Sequence, residues 1–229
     1  MRTWCAVVPF IGPRENFSEF LTSLNEEFLS GFCFVDNTPR SILRQFDLEC
    51  RGAEVCYHPE NLGCAASWNV GLKRGCDRTI ILSTSIRFEG QFIPFMQDMW
   101  AISNDFGLLT NQAWHLIVLG RGAVDRIGLA DESLGKYTCE DNDLMWRMHL
   151  AGIHGARPGT EAHLPKFMPH GVMCVGNAVA LKCGAIKPEF QQVQDRYVKK
   201  WGGLPGQEKF LHPFNDASKP ISWWPGCPE

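Results

Sequence analysis

The strongest constraint on the fold is an alternation of short apolar runs with helical segments. The apolar run 4–10 ends at Gly12-Pro13, and apolar residues recur at three- and four-residue spacing over 16–29. Short apolar runs bounded by turn residues are typical of strands buried on both faces of a parallel sheet. Further apolar runs lie at 32–35, 53–57 and 79–82, with a second helical segment at 61–75. The pattern predicts an α/β fold with a mainly parallel, doubly wound sheet flanked by helices.

The second half of the chain has a mixed pattern. It predicts helices at 92–100 and 121–127 and strands at 107–110 and 116–119. A chain of 229 residues can bury one sizeable core but is too short for two full-sized domains. We therefore predict one domain over 1–198, whose character changes at about residue 90. Residues 199–229 are rich in Trp, Gly and Pro and are expected to form a wrapping tail.

Composition and charge limit the classes of binding partner that the chain can have. The net charge of -3 gives no overall positive field towards nucleic acid or anionic lipid, so a nucleic-acid partner would need a local patch. Residues 182–209 contain six basic and three acidic residues with interleaved aromatic side chains. This stretch could hold a phosphate backbone and stack a base, or it could be an ordinary amphipathic helix followed by packed aromatic residues.

The apolar run near the N-terminus is too short for a membrane span and lacks a cleavage site, so we expect a soluble, cytoplasmic protein without integral membrane association. The ten cysteines are scattered, with no C-x-x-C pair and no Cys/His ligand spacing. They are expected to be free, mostly buried thiols in a reducing compartment.

The segment 140–143 is the most informative for chemistry. Glu140, Asp141 and Asp143 stand at the start of a helix predicted over 144–151. Amide donors and the positive end of the helix dipole keep carboxylates ionised there, and an ionised carboxylate can serve as a general base. Acidic residues in a first helical turn are also common as simple capping groups, and the spacing leaves both interpretations open.

Four segments in order resemble a known family. They are Val7-Val8-Pro9, Phe34-Val35-Asp36-Asn37, the stretch 60–71 with its Asn-Leu-Gly and Asn-x-Gly elements, and the Glu-Asp-x-Asp-Leu-x-x-Arg motif at 140–147. Together they resemble the family 2 inverting nucleotide-sugar glycosyltransferases of GT-A fold, over about residues 4–165. The stretch 200–214 resembles the tails of glycosyltransferase-like proteins of bacterial viruses, which suggests a bacteriophage-encoded member.

The resemblance implies roles for the acidic motif. Asp141 corresponds to the base that removes the proton of the acceptor hydroxyl. Glu140 is expected to position the acceptor or the base. Asp143 and Arg147 are expected to brace the loop through helix-terminal and ion-pair contacts.

The resemblance also implies a nucleotide-binding half at about 1–90, which holds a donor site, and an acceptor or catalytic half at about 91–198. Asp36 matches the carboxylate that hydrogen-bonds the base or ribose of the donor, although Asn37-Thr38-Pro39 would equally support an Asx turn there. Asn61 could instead be an N-cap, and Gly63 a close-packing residue. The other residues expected near the donor are Pro9, Phe10, Ile11 and Asn69.

One departure from the family concerns the metal. The family's Asp-x-Asp pair, which holds Mn²⁺ or Mg²⁺ against the diphosphate, is replaced here by Ser83-Thr84-Ser85. Hydroxyl groups are poor sole ligands for a hard cation. Ser83, Ser85 and Arg87 are still expected to face the donor. Either a metal is held weakly with the help of His163, or cations replace it; the cationic candidates are Arg87, Lys73, Arg121 and Lys136.

The sequence thus predicts an inverting glycosyltransferase that moves a sugar from a nucleotide-diphosphate sugar, such as a UDP-sugar, to a hydroxyl acceptor. The acceptor candidates are a hydroxymethylated base in phage DNA, a virion protein and a glycan. The alternative is a non-catalytic nucleotide-sugar or glycan-binding protein that retains the fold. P-loop, dinucleotide-binding G-x-G-x-x-G and G-x-S-x-G motifs are absent.

Overall fold

A six-stranded sheet forms the centre of the molecule. The computed structural model describes residues 3–88, 90, 92–101, 104–109, 115–136, 138–153, 173–174 and 190–227. The strands of the sheet are β1 (Trp4–Phe10), β2 (Phe32–Asp36), β3 (Glu54–Tyr57), β4 (Arg78–Leu82), β6 (Gly107–Leu109) and β7 (Leu116–Gly120). A separate antiparallel pair consists of β5 (Ile86–Arg87) and β8 (Met173–Cys174).

The order in the sheet is β3-β2-β1-β4-β7-β6. The pairs β1–β2, β1–β4 and β2–β3 are parallel, whereas β7 is antiparallel to both β4 and β6. The prediction of a mainly parallel α/β sheet with a mixed second half is therefore confirmed. The carboxyl ends of β1, β2, β3 and β4 meet at one edge, which we call the carboxyl edge.

Six helices accompany the sheet in the described residues. They are α1 (Arg14–Thr22), α2 (Cys64–Leu72), α3 (Phe92–Ala101), α4 (Arg121–Ile127), α5 (Glu140–Leu150) and α6 (Phe190–Trp201). Several boundaries differ from the sequence prediction; α2, for example, is shorter at both ends than the predicted 61–75. The segment expected to be helical to residue 29 leaves the α-helix at Thr22, and a separate 3-10 helix follows at Glu26–Gly31, where the N-cap Asn25 accepts from the amide of Glu27 at 3.3 Å. The α5 helix begins at Glu140, so the acidic residues lie within its first turn.

Both faces of the sheet are covered by apolar side chains. One face buries an aromatic cluster that includes Phe17, Phe34 and Phe95. The other face packs against α2, α4 and α5 and includes Val7 and Leu144. Within the described residues, none of the helices combines the length and apolar character that crossing a bilayer requires.

The C-terminal segment lies against the core. The α6 helix continues to Trp201, so the predicted boundary between residues 198 and 199 falls inside a helix. Beyond it, the Trp146 indole donates to the carbonyl of Phe210 at 3.3 Å. A Cβ placed on Gly128 would lie 2.7 Å from the Cβ of Ser222, so the chain passes close to the end of α4.

Candidate active site

Asn37 joins three segments at the carboxyl edge. Its amide donates to the carbonyl of Phe10 at 2.8 Å, and its side-chain oxygen accepts from the amide of Leu62 at 3.0 Å. Its side-chain nitrogen donates to the hydroxyl of Ser67 at 3.0 Å. The ends of β1 and β2 are therefore tied to the segment that opens α2.

Gly63 brings the loop before α5 to the same place. A Cβ at this position would lie only 2.6 Å from the Cα of Lys136, and the φ of Gly63 is +85°. The amide of Cys64 donates to the carbonyl of Lys136 at 3.1 Å. Backbone contact this close, in a conformation that side chains disfavour, explains why glycine stands here.

The pair Glu140–Asp141 begins α5 beside this contact. The residue before it, Cys139, has a φ of +67°, which turns the chain sharply into the helix. Glu140 is buried beside Cys64, and its Oε2 has no hydrogen-bond partner among the described residues. Asp141 is half-buried, and its Oδ1 accepts from the amide and the side-chain nitrogen of Asn142 at 2.8 and 3.0 Å. The two carboxyl groups therefore lie next to the contact between the loop before α2 and the loop before α5.

Burial separates the two carboxyl groups in acidity. Desolvation, together with the negative charge of Asp141, raises the pKa of Glu140 to about 8. Desolvation raises the pKa of Asp141 to about 6, and hydrogen bonds from Asn142 oppose the rise. Near neutral pH the pair therefore holds one proton, mostly on Glu140, and Asp141 is mostly ionised. An ionised carboxylate with a pKa near the working pH suits a general base.

A buried ionic cluster fixes the same helical turn. Asp143 Oδ2 lies 2.7 Å from Arg147, and its Oδ1 lies 2.6 Å from Lys200 Nζ. Lys200 also lies 2.6 Å from Asp131, and Trp201 Nε1 donates to Asp143 at 2.8 Å. Two anions and two cations balance one another. Asp143 and Arg147 thus brace the turn, as the sequence analysis expected.

Asp36 is placed at the carboxyl edge but faces inward. Its Oδ1 accepts from the amide and hydroxyl of Thr38 at 2.9 and 2.5 Å, and its Oδ2 accepts from the amide of Leu43 at 2.8 Å. The side chain is fully buried. This geometry is the Asx turn that the sequence left open, and a contact of Asp36 with the donor stays a prediction.

The three residues at the end of β1 differ in exposure. Strand alternation turns the ring of Phe10 into the core, where its centroid lies 5.2 Å from that of Phe17. Its side chain therefore does not reach the surface of the edge. Pro9 is half-buried and Ile11 is 39% exposed, so these two side chains remain available at the predicted nucleotide pocket.

The predicted donor residues of the α2 segment have different surroundings. The side-chain oxygen of Asn61 accepts from the amide of Gly63 at 2.8 Å, which forms a turn, and Gly63 itself is the N-cap. Asn69 is buried; its amide group exchanges two hydrogen bonds with the backbone of Ala130 and donates to Glu132 at 2.7 Å. Asn69 thus ties α2 to the chain before α5, and this geometry gives no support to its contact with the donor.

The residues after β4 lie at the carboxyl edge, where they make hydrogen bonds and an ion pair with other parts of the protein. The amide of Ser83 donates to the carbonyl of His115 at 2.8 Å, and the amide of Ser85 donates to the Ser83 hydroxyl at 3.2 Å. The Arg87 guanidinium donates to the carbonyl of Thr84 at 2.6 Å and pairs with Glu19 at 2.9 Å. Arg87 is therefore directed to α1, and a contact with the donor receives no support from this geometry.

The hydroxyl groups of Ser83, Thr84 and Ser85 do not form a ligand set for a hard divalent cation. In the described part of the chain, a group of three metal-ligating side chains occurs at Cys33, Glu54 and Cys56, and not among residues 83–85. His163, the predicted metal contact, lies outside the described residues.

The order of strands and helices separates the side chains that could replace a metal ion. Lys136 is exposed and lies beside Gly63 at the carboxyl edge. Lys73 follows the far end of α2, and Arg121 follows β7, where its amide donates to the carbonyl of Asp77 at 3.0 Å. Arg121 therefore lies at the opposite edge, and Lys73 Nζ is directed to Glu132 at 3.9 Å, so a contact of either cation with the diphosphate receives no support from this geometry.

Two residues at this edge were not identified from the sequence. His115 is buried at the start of β7, where burial lowers its pKa and favours the neutral ring. Burial and the charge of Glu140 raise the pKa of Cys64, which keeps it a thiol. The sequence signals are weak, because Cys64 occupies an unassigned position of the stretch 60–71 and only the antiparallel pairing of β7 brings His115 to Ser83.

The sheet order and the antiparallel strand β7 define an α/β protein with a mixed sheet, and the comparisons show that its fold is GT-A-like. Among solved structures, the chain is similar to GalNAc-T7 in complex with UDP, GalNAc and Mn²⁺, with a TM-score of 0.51 and 11% identity over 66% of this chain and 41% of that one. It is also similar to TarS of S. aureus, with a TM-score of 0.51 and 14% identity over 65% of this chain and 33% of that one.

The likeness establishes the GT-A-like fold. In both cases the aligned region spans less than half of the matched chain. No protein-family model matches the sequence. A search of curated proteins finds no match.

Proposed function

We propose that this chain is an inverting glycosyltransferase of the family 2 type, with Asp141 as the general base. The observation that carries the proposal is the acidic pair at the start of α5. Asp141 titrates near 6 beside a mostly protonated Glu140, next to the loop of Gly63 and Lys136. The GT-A-like fold supports it, because GalNAc-T7, a structure of similar fold, was solved with UDP, GalNAc and Mn²⁺.

In the proposed reaction the acceptor hydroxyl oxygen attacks the anomeric carbon of the donor sugar. The bond from that carbon to the nucleotide diphosphate breaks, and the hydroxyl proton passes to a carboxylate oxygen of Asp141. A single displacement inverts the anomeric configuration. Glu140, held as the acid, adds no second negative charge beside the base and can donate a hydrogen bond to the acceptor.

The leaving diphosphate needs hydrogen-bond donors or positive charge. The resemblance implies Mn²⁺ or Mg²⁺, but the hydroxyl groups of Ser83-Thr84-Ser85 do not fit such an ion. Lys136 is exposed at the carboxyl edge, and we propose that its ammonium group binds the leaving diphosphate. The donor is a nucleotide-diphosphate sugar.

The acceptor is proposed to be a hydroxyl group on a modified base of phage DNA, on a virion protein or on a glycan. These three are separated by measuring donor turnover with hydroxymethylated DNA, unmodified DNA, virion protein and oligosaccharide in turn. A steep loss of turnover with added salt would favour DNA, because phosphate contacts release counterions.

Replacing Asp141 by Asn tests the central claim. Asp141→Asn should lower turnover by about 10²–10⁴-fold, with donor affinity unchanged within several-fold. Asp125→Asn, an exposed residue paired with Arg121, is the matched control and should leave turnover unchanged. Full activity in Asp141→Asn would remove this residue from the role of base.

The replacement of the metal-binding aspartates by Ser83-Thr84-Ser85 favours one rival, a binding protein that keeps the fold without catalysis. Calorimetry with nucleotide sugars separates the two functions. Donor binding by the wild-type chain without turnover on any of the acceptors would support the rival.

A further inference from the structure

Two cysteines and a glutamate converge between β2 and the outermost strand, β3. Cys33 in β2 is paired in register with Glu54 in β3, and Cys56 lies two residues further along β3. Strand alternation places Glu54 and Cys56 on one face of β3. The Sγ atoms of Cys33 and Cys56, together with a carboxylate oxygen of Glu54, all lie within 4.8 Å of one another.

The distances match a tetrahedral ion. With metal–sulfur bonds of about 2.3 Å and tetrahedral angles, two thiolate sulfurs lie about 3.8 Å apart; a sulfur and a carboxylate oxygen lie about 3.6 Å apart. The observed separations are 3.9 Å between the two sulfurs and 3.7 Å between Cys56 Sγ and Glu54 Oε1. Two of the three separations thus match such an ion, and the third, between Cys33 Sγ and the Glu54 carboxylate, is within 4.8 Å.

The same spacing does not suit a disulfide. A disulfide requires a sulfur–sulfur distance of about 2.05 Å, so the two strands or their side chains would have to shift by well over 1 Å. An ion can bind between the sulfurs without this movement.

The charges also balance. Two thiolates and one carboxylate carry three negative charges, and Arg74, which is paired with Glu54, supplies one positive charge. A divalent ion completes neutrality. Arg74 also lowers the pKa of both thiols, although burial raises the pKa of Cys33 to about 12 and that of Cys56 above its ordinary value. Metal binding would displace both thiol protons, so affinity should rise with pH.

The site has an open side. Cys33 is buried and Cys56 is half-buried, whereas the side chain of Glu54 is 55% exposed. The strand β3 is at the end of the sheet, so nothing in the sheet covers its outer side. Three protein ligands with access to solvent leave a fourth position for water.

We propose that Cys33, Glu54 and Cys56 bind a thiophilic divalent cation of the Zn²⁺ type. The ion bridges β2 and β3 and stabilises the edge of the sheet. Its role is structural, because Cys33 and Glu54 lie three residues, about 10 Å along their strands, before the carboxyl edge, and only Cys56 lies nearer to it. The site is distinct from the segment Ser83–Ser85 at the carboxyl edge. The proposal does not depend on the proposed glycosyltransferase activity.

Titration of the full, phosphine-reduced chain with Co²⁺ tests the proposal. We expect a thiolate-to-cobalt charge-transfer band that saturates at one equivalent per chain and is removed by Zn²⁺. Zn²⁺ should also raise the melting temperature of the wild-type chain. The double variant Cys33→Ala with Cys56→Ala should lose the band and the rise in melting temperature.

The control is a double variant with the same number of cysteines. Cys50→Ala with Cys227→Ala should retain both signals, since these cysteines lie outside the cluster. If the Cys33/Cys56 variant does not fold, Glu54→Gln provides the second test and should weaken Co²⁺ binding. Absence of the wild-type band, or a band that persists without Cys33 and Cys56, would overturn the proposal.

Discussion

Lys200 Nζ lies 2.6 Å from a carboxylate oxygen of Asp143, two residues after the proposed base. Both side chains are fully buried, and Lys200 makes a second ion pair of 2.6 Å with Asp131. The C-terminal helix α6 is therefore joined to the first turn of α5. A segment far from the acidic motif in sequence thus holds the helix turn from which Asp141 projects.

Replacing Lys200 by Met should destabilise the protein strongly. The substitution keeps the volume of the side chain but leaves Asp131 and Asp143 with Arg147 alone, so one buried negative charge loses its partner. Breaking a buried pair in this way costs about 3–5 kcal/mol. Urea unfolding of Lys200→Met and of the exposed neighbour Lys199→Met measures the difference. Equal stability of the two variants would show that the ion pair does not hold α6.

Gly63→Ala should disturb the junction between α2 and α5. A methyl group would meet the backbone of Lys136, and the positive φ adds strain of about 1–3 kcal/mol. Gly206→Ala is the control, since its φ is +82° but nothing lies within 4 Å of its added Cβ. We expect Gly63→Ala to lower both stability and turnover, and Gly206→Ala to lower stability alone. A turnover loss of equal size in both would remove the special role of the junction.

The sheet was predictable because its strands are continuous apolar runs. Ala6, Val8 and Val35 are fully buried, so local hydrophobicity alone marks the strands. The direction of β7 was not predictable, since a buried strand has the same composition whether it runs parallel or antiparallel. This direction decides that Arg121 lies at the edge opposite to the site and that His115 lies beside Ser83.

The candidate site was predictable in part. Position in a motif located Asp141 and the Gly63 loop, but it did not show where a polar side chain points. Asp36 and Asn69 carry polar groups that the sequence assigns equally to a ligand or to the protein. In the structure, Thr38 and Leu43 engage Asp36, and Ala130 and Glu132 engage Asn69. Such long-range partners depend on the packing of loops that periodicity does not describe.

Sugar transfer should persist in the presence of a chelator. Ser83-Thr84-Ser85 offer hydroxyl groups, which compete poorly with water for Mn²⁺ or Mg²⁺. The measurement is donor turnover after dialysis against EDTA, with and without added Mn²⁺. The variant Cys33→Ala with Cys56→Ala, treated in the same way, separates any effect of the proposed thiolate site. Complete loss of turnover with rescue by Mn²⁺ would contradict this prediction.

The acidic pair should give kcat/KM a bell-shaped dependence on pH. Below about 6 Asp141 is protonated and cannot accept the hydroxyl proton. Above about 8 Glu140 ionises, and its negative charge opposes the approach of the anionic donor. Both limbs belong to the coupled pair, since each charge affects the other.

Glu140→Gln distinguishes the two limbs. The variant should lose the alkaline limb and keep the acid limb near 6, because Glu140 is already neutral in that range. It should also remove a pH-dependent loss of stability. The raised pKa means that the folded wild type binds the Glu140 proton more tightly than the unfolded chain, so its free energy of unfolding falls from about pH 4.5 to about pH 8. Urea unfolding across this range, with the exposed Glu15→Gln as control, measures the effect. An unchanged alkaline limb in Glu140→Gln would assign that limb to another group.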